Sequence, residues 1–183
     1  MDTFSVFSLS VAVFSTISVI QSQNLDLCNY IVMAFCTVDT ILHLCNYKIL
    51  KLDMILHHLF AIMISFYSYA NSYPITYNLD DKYFLMTNQL SCEISTIFLN
   101  LMKVFPKKSY LALLNRLLFL VTFVYYRIYN YFVNIIISKN SHQFIIQIAK
   151  SNFHLFYMYT GVFGLFLLNI YWLNLILKKL IIR

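Results

Sequence analysis

The chain has 183 residues, of which 61% are hydrophobic and only 11% charged; its mean hydropathy is +0.72 and its formal charge +6 at neutral pH. A soluble domain carries about 25% charged residues, so this composition excludes a soluble globular fold and indicates an integral membrane protein. No phosphate-binding glycine loop, nucleotide fingerprint or Ser-His-Asp constellation is visible.

A membrane-crossing helix needs about 20 mainly apolar residues. Six stretches qualify: Phe4–Ile20, Leu27–Tyr47, Met54–Ala70, Tyr83–Met102, Tyr110–Val133 and Phe153–Leu177. Backbone polar groups in lipid need internal partners, so these stretches must be helices. The predicted fold is all-α, a polytopic transmembrane helical bundle of about six spans. Residues 1–26 hold the first helix and a short loop; residues 27–183 hold the main transmembrane domain and a basic tail. Met1-Asp2-Thr3-Phe4 lacks the basic start of a signal peptide, so the first stretch reads as a retained helix.

On the second stretch Asp39 and His43 are four apart and share a face. Cys28, Cys36 and Cys45 lie on the same stretch and Cys92 on the fourth. They read as small buried hydrophobes and not as a disulfide framework. The third stretch opens on Asp53-Met-Ile-Leu-His57-His58. Ionisable groups at membrane depth are costly and usually face the bundle interior. Adjacent helical residues point about 100° apart, so only one histidine can face a central cavity squarely. A neutral imidazole serves as general base, nucleophile or metal ligand; the bland reading is an interfacial pair bonding head groups and water. Tyr73-Pro74, Tyr77 and Asp80-Asp81 follow in a loop and read as an aromatic belt with a solvated acidic patch.

The fourth stretch contains Glu93, Ser95 and Asn100, with Glu93 and Asn100 on one face. The fifth contains Asn115, Arg116, Tyr126 and Arg127, and Arg127, Asn130 and Asn134 fall at helical spacing. The sixth contains Gly161, Gly164, Asn169, Tyr171, Trp172 and Asn174; the two glycines do not form a GxxxG dimerisation motif. Asp39 and Glu93 balance Arg116 and Arg127, which would avoid isolated buried ions. These groups are either interhelical glue that sets register, or a polar chamber. As a chamber, Asp39, Glu93, Asn100, Arg116, Arg127 and Asn130 would hold a lipid head group or an acyl donor's phosphate. Five histidines without an HxxxH pair give no metal site, and no cofactor is expected.

The loop lysines and arginine divide eight to three. Lys48, Lys51, Lys103, Lys107, Lys108, Lys178, Lys179 and Arg183 lie on one side; Lys82, Lys139 and Lys150 lie on the other. The positive-inside rule places both termini in the cytoplasm. The positive charge therefore orients the chain and does not indicate a nucleic-acid partner. The ending Lys178-Lys179-Leu-Ile-Ile-Arg183 is a solvated basic tail or a dilysine-like retrieval signal.

Five motifs in order resemble the TLC-domain family, which includes the ceramide synthases. They are Asn29-Tyr30 to Asp39, Asp53 to His57-His58, Glu93-Ile-Ser95-Thr96-Ile-Phe98-Leu-Asn100, Phe119 to Arg127, and Asn169-Ile-Tyr171-Trp172 followed by Lys178-Lys179. The resemblance runs from about Tyr30 to Lys179. It implies a multi-pass membrane protein of the endoplasmic reticulum or a linked membrane, with membrane lipids as partners. It implies lipid binding, sensing or regulation of membrane lipid composition or trafficking. The alternative is a ceramide-synthase-type acyltransferase using His57 and His58, with acyl-CoA as co-substrate. Against that alternative, Asn71 falls one position early for the ceramide-synthase signature and no His-Asp pair precedes Glu93.

Overall fold

The computed structural model describes residues 3–45, 51–69, 79–106, 109–149 and 151–181. Lys48, Asn71, Tyr73, Pro74, Tyr77, Lys107, Lys108, Lys150 and Arg183 lie outside them, as does the side chain of His43. Among the described residues the chain is helical throughout, without strands.

Helices α1 (Thr3–Gln21) and α2 (Leu25–Cys45) form an antiparallel pair. The turn between them has Ser22 and Asn24 at φ 51° and 55°, the left-handed region that asparagine tolerates best among residues with a Cβ. The serines and threonine of α1 sit comfortably in an apolar helix because they bond back one turn. Ser15 Oγ donates to Val11 O at 2.8 Å and Thr16 Oγ1 to Ala12 O at 2.8 Å. Helix α1 packs on α2 and on α5 and is part of the bundle.

Helix α3 (Leu52–Tyr69) lies between α2 and α8 (Asn152–Ile181). Its seam with α8 is the most extensive in the molecule, and Gly161 and Gly164 make it close. A Cβ added at Gly161 would stand 2.9 Å from Ile64 Cγ1 and 3.1 Å from the carbonyl oxygen of Phe60. One added at Gly164 would stand 2.7 Å from the Phe60 ring. Small residues let helix backbones approach where lipid offers no hydrophobic drive between helices. Here the glycines act inside the bundle.

The fourth predicted span needs correction. Tyr83–Met102 is not one regular helix but two, α4 (Leu79–Leu90) and α5 (Glu93–Leu101), joined at Ser91-Cys92. Hydrogen bonds there tighten to three-residue spacing, Cys92 N to Gln89 O at 3.2 Å and Ile94 N to Ser91 O at 3.1 Å. Ser91 Oγ meanwhile donates to Asn88 O at 2.7 Å, competing for a helix carbonyl. An interrupted helix at membrane depth is tolerated where protein surrounds it, and Ser91 and Cys92 are both buried. Asp80 and Asp81 belong to the first turn of α4 and not to a loop.

The fifth span is longer than predicted. Helix α6 (Tyr110–Thr122) continues as a π-helix over Phe123–Asn130 and Phe132–Ile136. Its start is fixed by Ser109, whose Oγ accepts from Ala112 N at 3.1 Å. Helix α7 (Lys139–Ile148) was not foreseen. Its buried Ser141, Phe144, Ile145 and Ile148 form a stripe at helical spacing against the bundle end. His142 fastens it, with Nδ1 2.9 Å from Tyr159 Oη and Nε2 2.7 Å from Ile136 O.

Among the described residues three helical stretches are long and apolar enough by themselves to cross a membrane: Leu25–Leu42, Tyr110–Ile136 and Asn152–Lys179. Val6–Gln21 and Leu52–Ser65 are shorter apolar helices. With the interrupted α4–α5 pair they make an all-α membrane bundle.

Candidate functional site

Five of the polar side chains inside this bundle converge on one small chamber. It lies between α2, α3, the α4–α5 turn, the π-helix and α8, and its polar walls are His57, Gln89, Glu93, Arg127 and Asn169. Val32, Cys36, Ala61, Leu90, Tyr131 and Leu165 supply apolar walls. The space open to a water-sized body is about 30 Å³, against the 10–15 Å³ or so that a single water requires.

Arg127 is the anchor. It is buried in the π-helix, and its donors are shared between two helices, α5 and α8. Nε donates to Ser95 Oγ at 2.8 Å, Nη2 to Thr96 Oγ1 at 2.9 Å and Nη1 to Asn169 Oδ1 at 3.4 Å. Glu93 Oε1 lies 3.8 Å from Nη2 and compensates the charge. The guanidinium also lies 5.7 Å from the Phe123 ring centre and 6.0 Å from that of Trp172.

The two histidines face different ways. His57 lines the chamber, and its ring centre is 5.0 Å from that of Trp172. Its Nδ1 is buried with no hydrogen-bond partner among the described residues. His58 turns toward α2, where Nδ1 lies 3.3 Å from Asp39 Oδ2, and both side chains are 3% exposed. At the α3 start, Trp172 Nε1 donates to Asp53 Oδ2 at 2.8 Å and ties α8 to α3.

A second set of contacts braces the walls. Ser65 Oγ donates to Asn29 Oδ1 at 3.1 Å, and Gln89 Nε2 donates to Ser65 Oγ at 3.4 Å, linking α2, α3 and α4. Tyr131 Oη donates to Val162 O at 3.1 Å and joins the π-helix to α8.

The structure brings Glu93 and Arg127 together in the chamber wall and sets Asp39 behind it with His58. The other candidates lie elsewhere. Asn100 Nδ2 donates to Ser8 Oγ at 3.1 Å and ties α5 to α1. Arg116, on α6, is not in the chamber lining. Asn130 Nδ2 donates to Asn88 Oδ1 at 3.1 Å and to Ser91 Oγ at 3.2 Å, and Asn134 joins the same cluster. The stripe Arg127, Asn130, Asn134 is thus split. In a π-helix the hydrogen bonds run to the fifth residue, so seven residues no longer complete two turns and Arg127 swings away from the asparagines. Asp39 lies against a histidine, His58.

Sequence reading did not single out the roles of Gln89, Thr96, Asn169 and the Asp53–Trp172 bond. The available signal was weak: Asn169 and Trp172 are three apart on one helix face, and Ser95 and Thr96 follow directly after Glu93. Among the described residues no group of three or more His, Cys, Asp or Glu side chains is placed to hold a metal ion.

Removing Asp39 tests the outer pair. Asp39→Leu is expected to destabilise the protein by about 1–3 kcal/mol, the cost of stranding a buried polar partner, whereas Asp39→Asn retains most of the stability. Thermal unfolding in mild detergent reads the difference; equal loss in both variants would contradict a supporting role for the pair.

No curated protein and no solved structure matches the chain. The sequence profile of the TLC domain matches residues 4–178, nearly the whole bundle including α1 and the helix that carries His57 and His58. The chain therefore belongs to the TLC-domain family of membrane proteins, whose functions concern lipids.

Proposed function

We propose that the protein binds a membrane lipid by its polar end in the central chamber, and so senses lipid or regulates its composition or trafficking. The observation that carries this reading is the convergence of His57, Gln89, Glu93, Arg127 and Asn169 on one cavity in an otherwise apolar bundle. Glu93 and Arg127 hold the walls apart and neutralise each other; His57 supplies a nitrogen that no protein group engages. The lysine asymmetry supports cytoplasmic termini, and membership of the family supports an endomembrane protein, such as one of the endoplasmic reticulum.

Sphingoid-base N-acylation from acyl-CoA is the second reading, favoured by the exposure of His57 alone to the chamber. A catalytic imidazole is usually oriented by a third group on its other nitrogen. Here Asp39 engages His58 and Asp53 engages Trp172, which leaves His57 Nδ1 without one. That arrangement favours binding over catalysis.

Two measurements separate the readings. Purification in mild detergent followed by lipid mass spectrometry is expected to recover a defined lipid at near-stoichiometric amount, depleted in His57→Ala. Membranes lacking endogenous ceramide synthase, supplied with labelled sphinganine and a panel of acyl-CoAs, are expected to give no product. Product from the wild type but not from His57→Ala/His58→Ala would establish the acyltransferase.

A further inference from the structure

The chamber's size and the engagement of its charges point beyond lipid binding in general. Building on the lipid-binding reading, we propose that the chamber selects a lipid whose polar end is a single uncharged hydroxyl, against lipids ending in a phosphate or an ammonium.

Three observations converge. The first is volume. About 30 Å³ is open, enough for one or two water-sized groups. A hydroxyl fits that space without parting the helices, and a phosphate with its four oxygens does not.

The second is charge. A phosphate needs uncommitted cationic donors, and among the described residues lining the chamber Arg127 is the one permanent cation. Three of its five N–H groups, one on each nitrogen, already serve Ser95, Thr96 and Asn169, with Glu93 beside them. A phosphate would have to dismantle that set and would meet the Glu93 carboxylate. An ammonium fares no better. Glu93 is compensated by Arg127, so a second cation would enter a site whose charge is already neutral and would face the guanidinium. Carboxylates elsewhere are held outside the lining, Asp39 by His58 and Asp53 by Trp172.

The third is hydrogen bonding. In the chamber lining, His57 Nδ1 is a buried nitrogen with no hydrogen-bond partner among the described residues, and a neutral imidazole nitrogen is a donor or an acceptor according to tautomer. A hydroxyl is both donor and acceptor, so it satisfies either tautomer of His57. Gln89 lines the same cavity, with a long 3.4 Å bond to Ser65, and offers a carboxamide to the hydroxyl.

The test uses three ligands with one chain and different ends: oleyl alcohol, oleylamine and oleyl phosphate. The purified full-length chain in mild detergent receives the three at equal concentration, and native mass spectrometry counts the adducts. Emission from Trp172 provides a second readout, because it is the chain's one tryptophan and its ring lies 5.0 Å from His57. The expected result is an oleyl alcohol adduct at least about fivefold more abundant than either other, the lower end of what one unmade hydrogen bond produces. A saturable change in Trp172 emission with the alcohol should accompany it. His57→Phe keeps the ring and loses the nitrogen, and it should abolish the preference; Gln89→Met should weaken it and provides an independent variant should the first fail to fold. Retention of oleyl phosphate or oleylamine as strongly as the alcohol would overturn the selectivity and leave lipid binding standing. No adduct from any of the three, with Trp172 emission unchanged, would overturn both.

Discussion

Replacing Arg127 by methionine is expected to destabilise the bundle by about 3–5 kcal/mol, the cost of removing one partner of a buried ion pair. The substitution strands Glu93 Oε1 and leaves Ser95, Thr96 and Asn169 without the donors that now hold α5 and α8 to the π-helix. Two companion variants make the result specific. Arg127→Lys keeps the charge but cannot reproduce a fork that reaches three acceptors, so it should recover only a minor part. Arg127→Met combined with Glu93→Gln should recover more, because the uncompensated carboxylate is gone. Reversible unfolding in detergent would measure all three. A double variant as unstable as the single would show that Arg127 acts through packing and not through Glu93.

Gly161→Leu is the second large effect. The added Cβ meets the Phe60 carbonyl oxygen at 3.1 Å and Met63 Cβ at 3.2 Å, and backbone cannot rotate away. The expected loss is about 3 kcal/mol, the upper end of ordinary overpacking, with loss of any bound lipid because the α3–α8 seam carries His57 on one side and Asn169 on the other. Gly164→Ala differs in kind. Its obstacle is the Phe60 ring, a side chain that can be removed. In a Phe60→Ala background Gly164→Ala should therefore cost little, while Gly161→Leu should cost nearly as much as before. Thermal shifts for the four proteins would decide; relief of both clashes by Phe60→Ala would contradict the backbone contact at Gly161.

These residues show where sequence alone suffices and where it stops. Helices α1, α2, α3 and α8 follow from runs of apolar residues at the length a bilayer demands. Asp39, His57, His58, Glu93 and Arg127 were equally plain, since they stand out in an apolar setting, whereas Asp81 and Lys82 read as solvated loop residues and are buried. The pairing of the first five was not plain. The match of Asp39 with His58, or of Trp172 with Asp53 across 119 residues, depends on how helices rotate against one another, and local spacing carries no record of it. Helical phase misled where the geometry departs from 3.6 residues per turn. The π-helix separates Arg127 from Asn130, and the tight turn at Ser91-Cys92 interrupts the fourth span. Helix α7 escaped because ten residues with Lys139, Ser141 and His142 look like a loop to any test for membrane spans, although the Ser141, Phe144, Ile145, Ile148 stripe was present.

The central claim is that a lipid occupies the chamber, and crosslink mapping tests it most directly. Cells expressing the protein would be fed a fatty acid bearing a diazirine and an alkyne, irradiated, and the protein digested to locate the labelled residues. The account predicts labels on chamber walls, among them Val32, Ala61, Tyr131 and Leu165, and their loss when His57 is replaced by alanine. Labels confined to outward faces such as Leu111, Leu117 and Val121, unchanged in the variant, would contradict it and describe a bundle that meets lipid only as its solvent.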